Sequence, residues 1–357
     1  PKAGLYAEEY ATAMAAIALQ RPVKWIEDRR EHFLATTQQR DQVWNLEVAA
    51  DSNGNMLAIR GRCIHDNGAY LPYGPILGAS SLSPFPGPYA LEALDISLDM
   101  VFTNMVPCTP VRGAGRPNAC FVMERLADLV ARGTGIDRAE VRRRSFIRKD
   151  QFPYKTGSKM RDGSEVTYDS GDYHACLESA VQSLWPGFRE RQAKARAEGR
   201  YIGYGLASCV EDTGLAPFEG ATVKVQPNGK VLLQMGAAAQ GQGHKTVFSQ
   251  IVADRLGVGI EDITVEAGDT AAFPLGIGTI GSRVTATAGP SVFVAANQVR
   301  EKAVKVGALL LETPVLHTEF GQAPLIDDRI VSVLLSHQEH SVRMAATGHV
   351  HSAWPDV

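Results

Sequence analysis

The sequence predicts an α+β fold in two mixed domains, 1–165 and 166–357. Three observations carry the prediction. Apolar alternation on either side of tight Asn-Gly turns gives hairpin strands over 42–66 and 221–234. Apolar residues at helical spacing mark 5–19, 118–131, 172–184 and 245–256. Strands and helices do not follow each other as regular βαβ units, so a single doubly wound sheet is not expected. The 357 residues, 45% hydrophobic and 21% charged, suffice for two cores.

Composition excludes several classes. A net charge of −3 gives no footprint for nucleic acid or an anionic membrane. No apolar run is long enough to span a bilayer, and no n-region and h-region pattern of a signal sequence is expected among these residues. The five cysteines, 63, 108, 120, 176 and 209, show no C-x-x-C spacing. They therefore read as small buried apolar residues, not as a disulfide, zinc or iron–sulfur framework. Free thiols fit a reducing cytoplasm.

Taken in order, Leu5–Leu19 is an Ala-rich helix with Met14, Ile17 and Ala18 on its buried face, stopped at Arg21-Pro22. Val23–Ile26 reads as a short strand, and Glu27–Glu31 as a charged turn or helix start in which Glu27, Arg29 and Arg30 form a solvated or inter-domain ion cluster. Gln42–Ala50 and Met56–Asp66 are strands joined at Asp51-Ser-Asn-Gly54. Asn67–Pro88 is open to an ordered loop over a pocket or to a mobile surface loop, and Ala93–Thr103 reads as a strand. Helix 118–131 follows, then a basic helix capped by Asp137 with Arg138, Arg142 and Arg143 exposed. Residues 151–165 are polar and turn-rich, which places the domain boundary there. Helices over 172–184 and 188–199 and a strand over 202–210 lead to the loop 211–219. Beyond Thr313, 327–333 reads as a turn and strand. His317, His337, His340, His349 and His351 crowd the tail, and the i, i+3 spacing of His337 and His340 is open to a metal site or to a tail without structure.

Three loops carry chemistry. Gln234–His244 turns small and Gly-rich between a strand and the helix 245–256. Backbone N–H groups at a helix N-terminus suit an anion, and Gln240, Gly241, Gln242 and Gly243 supply neutral donors. The same spacing equally serves a plain strand-to-helix turn. Leu275–Thr285 repeats the device before the helix 286–299, with Gly281, Ser282, Arg283 and Thr285 offering backbone, hydroxyl and guanidinium donors suited to a phosphate. Val111, Arg112, Gly113 and Ala114 form a third tight loop, which by itself reads as a helix entry with Pro117 near N1.

Ala239-Gln-Gly-Gln-Gly-His244 followed by Gly276-Ile-Gly-Thr-Ile-Gly-Ser-Arg283 resembles the large subunit of the xanthine dehydrogenase and aldehyde oxidase family of molybdenum hydroxylases, from residue 1 to about Glu312. The bacterial branch that includes carbon monoxide dehydrogenase is the nearest in appearance. The resemblance implies two domains of the molybdenum-cofactor-binding type. The two Gly loops would wrap the pterin and pyrophosphate of a molybdopterin, in its cytosine dinucleotide form, and Val111–Ala114 would pass beside molybdenum. It also implies FAD and 2Fe-2S centres on partner subunits, a dimer of heterotrimers, and no metal ligand from protein side chains. Carbon monoxide oxidisers carry a Cys in the third loop and purine oxidisers an aromatic residue. Gly113 and Ala114 supply neither, which points to an aldehyde or N-heterocycle as substrate. Phe218 is open to a role in the substrate channel, beside Ala114, or in the core.

The family's Gly-Gly-Phe-Gly loop and its Gly-x-Gly-Glu general base do not occur here, so the chain reads as a fragment cut at both ends with no catalytic residue of its own. A catalytically silent cofactor-binding or scaffold fragment is the rival reading, and a phosphate-binding module unrelated to molybdenum a third. The carboxylates nearest the loops in sequence are Glu211, Glu219 and Asp269, and Glu219 is expected to face solvent or an Arg. Two expectations follow: the loops at Arg112, Gln240 and Ser282 line one cavity, and the chain alone does not turn over substrate.

Overall fold

The computed structural model describes residues 6–73, 76–160, 162–184, 186–214, 218–311 and 344–345. By packing, the chain divides into two compact units between Glu211 and Asp212.

In the first unit, α1 (Ala7–Leu19) and α2 (Arg29–Ala35) precede a hairpin of β1 (Gln42–Ala50) and β2 (Met56–Asp66). Asp51 sets the turn by accepting from Asn53 N–H and Asn55 N–H, each at 2.9 Å. The short helix α3 (Ile76–Leu82) interrupts the stretch expected to be loop. Strand β3 (Ala93–Val101) pairs parallel with β2, giving the order β1-β2-β3. Helix α4 (Arg116–Thr134) buries Ala119, Met123, Leu126, Ala127 and Val130, one stripe at helical spacing, in a core with Met56, Ile59, Phe85 and Tyr89. Helix α5 (Arg138–Ser145) starts at Asp137, which accepts from Ala139 N–H at 2.8 Å.

Residues 151–165 are not merely turns. Strands β4 (Tyr154–Lys159) and β5 (Glu165–Tyr168) pair there, with Thr156 and Ser158 facing inward. A polar inward face hides the alternation that sequence patterns detect. Helices α6 (Tyr173–Leu184) and α7 (Phe188–Ala197) complete the unit. Leu177 of α6 reaches the first core, which is why packing carries this unit past the composition change near 165.

Four more expectations are revised. Met14 and Ile17 are exposed and α1 buries no residue, because periodicity marks a face but not whether these residues cover it. Residues 23–26 form no strand, and Trp25 and Ile26 are exposed. Residues 202–210 alternate in burial yet join no ladder among the described residues. Arg142, expected on the surface, is fully buried. It donates to Glu124 Oε2 at 2.8 Å, Leu206 O at 3.0 Å and Asp128 Oδ1 at 3.2 Å. Three acceptors from other elements replace the water that a surface arginine would bind.

The second unit builds one sheet from β6 (Gly220–Val225), β7 (Val231–Met235), β8 (Ile263–Ala267) and β9 (Met344–Ala345), in the order β8-β7-β6-β9. Helix α8 (His244–Leu256) crosses from β7 to the parallel β8, and α9 (Val284–Leu311) follows. Val231, Leu233 and Met235 alternate inward against Phe248 and Val252 of α8 and against Ala288, Val292 and Ala296 of α9. The expected strand at 327–333 and the histidines 317, 337, 340, 349 and 351 lie outside the described residues. No helix among the described residues is long and apolar enough to cross a membrane.

Candidate cofactor site

The Arg112 loop lies in the first unit and is held from below. Arg40 Nη2 donates to Arg112 O at 2.6 Å, Gln39 Oε1 accepts from Val111 N–H, and Ser80 Oγ accepts from Gly115 N–H at 3.0 Å. Gln42 anchors the start of α4 by accepting from Asn118 Nδ2 and Trp44 Nε1 and donating to Ser81 Oγ and His65 Nδ1, the last two at 2.9 Å. Gly113 takes φ 97° and Ala114 φ 49°. A left-handed Ala is strained, and such strain concentrates where a loop is held for a task. The Arg112 side chain is exposed and that of Ala114 partly so.

The other two loops lie in the second unit and meet there. The first leaves β7 at Gly236 and enters α8 at Gly243. His244 Nδ1–H donates to Ala237 O at 3.2 Å, closing it, and the buried ring stands edge-on to Phe248. Gln242 Oε1 accepts from Gln240 N–H, so its side chain braces the loop and is not simply an outward amide. Gln240, Gly241 and Gly243 are exposed, and a Cβ added at either glycine would meet open space. Gly243 gives α8 no side-chain cap, and the first helical bond runs from Val247 N–H to Gly243 O at 3.1 Å. The N–H groups ahead of it are those a helix leaves for another acceptor.

The second of these loops runs from Leu275 to Arg283. Thr279 Oγ1 donates to Ala238 O, tying it to the first. A Cβ at Gly236 would stand 3.0 Å from Gly276 Cα and 3.1 Å from Leu275 C, so only glycine permits this approach. Ser282 has φ 51°, a second left-handed non-glycine residue in a candidate loop. Ser282 and Thr285 are exposed and Gly281 partly so.

Arg283 points the other way. Its guanidinium is fully buried, paired with Glu219, and donates to Gly278 O at 2.8 Å and Phe218 O at 2.6 Å. Glu219 Oε1 also accepts from Gly278 N–H at 2.9 Å and Ile277 N–H at 3.1 Å. The expectation that Glu219 faces solvent or an Arg thus resolves to the Arg. The phosphate-facing guanidinium expected from the sequence is instead a buried brace. Sequence gave Arg283 its place in the loop but not its direction; the signal available was a lone Glu at the edge of β6, whose charge needs a buried partner. Phe218 is partly buried and its backbone carbonyl holds Arg283.

The remaining carboxylates are engaged. Glu211 pairs with Arg116 at 3.5 Å, and Asp269 caps a turn by accepting from Ala271 N–H at 2.8 Å. Cys63 and Cys108 are buried as expected, whereas Cys176 and Cys209 are exposed. Among the described residues no cluster of His, Cys, Asp or Glu could hold a metal ion.

The site fits an anionic group held through neutral donors: open glycine backbone, an uncapped helix start and hydroxyls. Comparison with known proteins shows the family. Two models described as molybdopterin cofactor-binding domains match residues 1–146 and 178–355. The carbon monoxide dehydrogenase large chain of Hydrogenophaga pseudoflava is 35% identical over 336 residues, 87% of this chain and 40% of that one. The gamma subunit of the 6-hydroxypseudooxynicotine dehydrogenase complex of Paenarthrobacter nicotinovorans is 35% identical over 87% of this chain and 39% of its own. The crystal structure of quinoline 2-oxidoreductase from Pseudomonas putida 86 superposes with a TM-score of 0.75 at 34% identity, covering 87% of this chain and 40% of that one. The chain therefore spans about 40% of the length of the relatives it matches.

Proposed function

The chain belongs to the molybdopterin cofactor-binding family of molybdenum hydroxylase large subunits, and on that premise we propose that it is the part of such an enzyme that holds and orients the cofactor. The observation that carries the proposal is the junction of two glycine loops in the second unit, tied by Thr279 and Gly236 and each opening a helix. Gln240, Gly241, Gln242 and Gly243 bind one side of the pyrophosphate and pterin, and Gly281, Ser282 and Thr285 the other. Val111, Arg112, Gly113 and Ala114 line the reacting side, and Ala114 with Phe218 shapes the substrate channel. When bound, a molybdopterin supplies the two-electron centre at which a C–H carbon is hydroxylated with oxygen from water.

The chain's own residues bind, orient and exclude water. Rigid N–H donors need no reorganisation as charge develops on the bound group. The small Gly113 and Ala114 leave room for an aldehyde or N-heterocycle. Glu211, Glu219 and Asp269 are each held by other partners, so none of these three is assigned as the general base. The cytosine dinucleotide form of the cofactor, FAD and 2Fe-2S partner subunits, a dimer of heterotrimers, a cytoplasmic location and domains divided near 165 complete the proposal. The gap between the two matched models, 147–177, supports that division.

Metal analysis and released-pterin fluorescence on the purified full-length complex test the reading. Molybdenum and pterin near one per large subunit are expected. A complex carrying neither, with phosphate bound instead, would establish an unrelated phosphate-binding module.

A further inference from the structure

Glu219 and Arg283 form a fully buried ion pair at the root of the 275–283 loop. The attraction within such a pair often fails to exceed its desolvation cost, so burial alone does not make this pair stabilising. Here three of the pair's hydrogen bonds run to the loop backbone. Glu219 Oε1 takes the N–H groups of Ile277 and Gly278, and Arg283 takes the carbonyls of Gly278 and Phe218. Ser291 Oγ donates to Glu219 O at 2.8 Å, fixing the backbone from α9. Glu219 Oε2 is buried without a hydrogen-bond partner, against Gly276, where an added Cβ would stand 2.6 Å from it. The pair consumes the loop's inward donors at 277–278 and leaves Thr279 to Ser282 to turn outward.

Resting on the cofactor-binding reading above, we propose that Glu219 and Arg283 are positioning residues: they fold the 275–283 loop so that its outward neutral donors meet the anionic part of the cofactor, and Arg283 gives the ligand no direct charge. This separates the two ways in which an arginine in such a loop could serve an anion. If Arg283 were a direct ligand, removing its carboxylate partner would free the guanidinium and strengthen anion binding. If the pair is a brace, the same change loosens the loop and weakens binding.

The test uses the full-length enzyme with E219Q, R283K and the double variant E219L/R283M. Readouts are molybdenum and pterin per polypeptide, thermal unfolding, and hydrogen exchange at the amides of 277 and 278. E219Q and R283K are expected to lose cofactor by about tenfold, the scale of one charged buried hydrogen bond. The double variant replaces the ions with apolar side chains, a change that a fold commonly tolerates. It should unfold near the wild-type temperature while the 277 and 278 amides exchange at least about tenfold faster and cofactor is lost. Cofactor content at or above wild type in E219Q, or a folded double variant with normal cofactor and protected amides, would overturn the proposal. If the double variant does not fold, E219Q alone decides. A wild-type enzyme that lacks pterin but shows 277–278 protection that E219Q abolishes would sink the cofactor reading and leave the brace standing.

Discussion

Gly236→Ala tests whether the two glycine loops of the second unit depend on close backbone contact. The added Cβ would stand 3.0 Å from Gly276 Cα and 3.1 Å from Leu275 C, and closer still to Leu275 O. Carbon atoms in ordinary contact sit about 3.5 Å or more apart, so the two strands of backbone must separate by at least roughly 0.5 Å to clear the carbons, and by more to clear Leu275 O. The obstacle is main chain, not the end of a flexible side chain. Separation would also stretch the bond from Thr279 Oγ1 to Ala238 O. Overpacking of this kind costs about 1–3 kcal/mol, and rigid backbone puts it at the upper end. A domain of this size loses roughly 2–4 °C in Tm per kcal/mol, so a drop of about 6–12 °C is expected. The assay is thermal unfolding of the full-length protein, with molybdenum and pterin content alongside. Gly203→Ala is the control: nothing lies within 4 Å of its added Cβ, and its φ is not in the left-handed region. It should leave both readings unchanged or raise Tm slightly. An unchanged Tm and unchanged cofactor in Gly236→Ala would refute the close-approach argument.

Arg142→Met leaves Glu124 and Asp128 without their buried partner and should cost about 3–5 kcal/mol, read as a lowered urea midpoint. Burial already holds the Glu124 carboxyl above its ordinary value of 4.5, against the pull of Arg142. The folded state therefore keeps that proton longer than the unfolded chain, and stability is lost as pH rises from 4.5 through the raised pKa. Arg142→Met should make that loss larger, and a pH-independent midpoint difference would contradict it. Burial pushes the Cys63 and Cys120 thiols up to about 12, so at pH 8 iodoacetamide should label the exposed Cys176 and Cys209 and spare those two, as read by peptide mass spectrometry. Residues 1–357 alone, reconstituted with cofactor, should not reduce dye with any aldehyde or N-heterocycle; turnover abolished by Glu211→Gln or Glu219→Gln would place the base within the chain.

Most elements were legible because their signals are local. The hairpin of β1 and β2 matches its sequence bounds because Asp51 and Gly54 fix the turn and alternation fixes the register. The glycine loops were legible because glycine adopts such backbone at the least steric cost. Less visible was whatever depends on distant partners. Arg142 and Arg283 look like surface charges until Glu124 and Glu219 are brought beside them. The hairpin of β4 and β5 hides behind inward Thr156 and Ser158, and β8 was missed because it gains its place only by pairing parallel with β7 across α8. Met14 and Ile17 show the converse: a periodic apolar face read from sequence alone does not say what covers it.

In the proposed arrangement the loops at 236–243 and 275–283 bind a molybdopterin through neutral donors while Arg283 stays buried. A crystal structure of the full-length enzyme with its cofactor measures this directly. The pyrophosphate is expected within hydrogen-bonding distance of backbone N–H groups of 240–243 and of 281–282, with the Arg283 guanidinium still on Glu219. A cofactor bound away from these loops, or an Arg283 turned outward onto a phosphate, would contradict it.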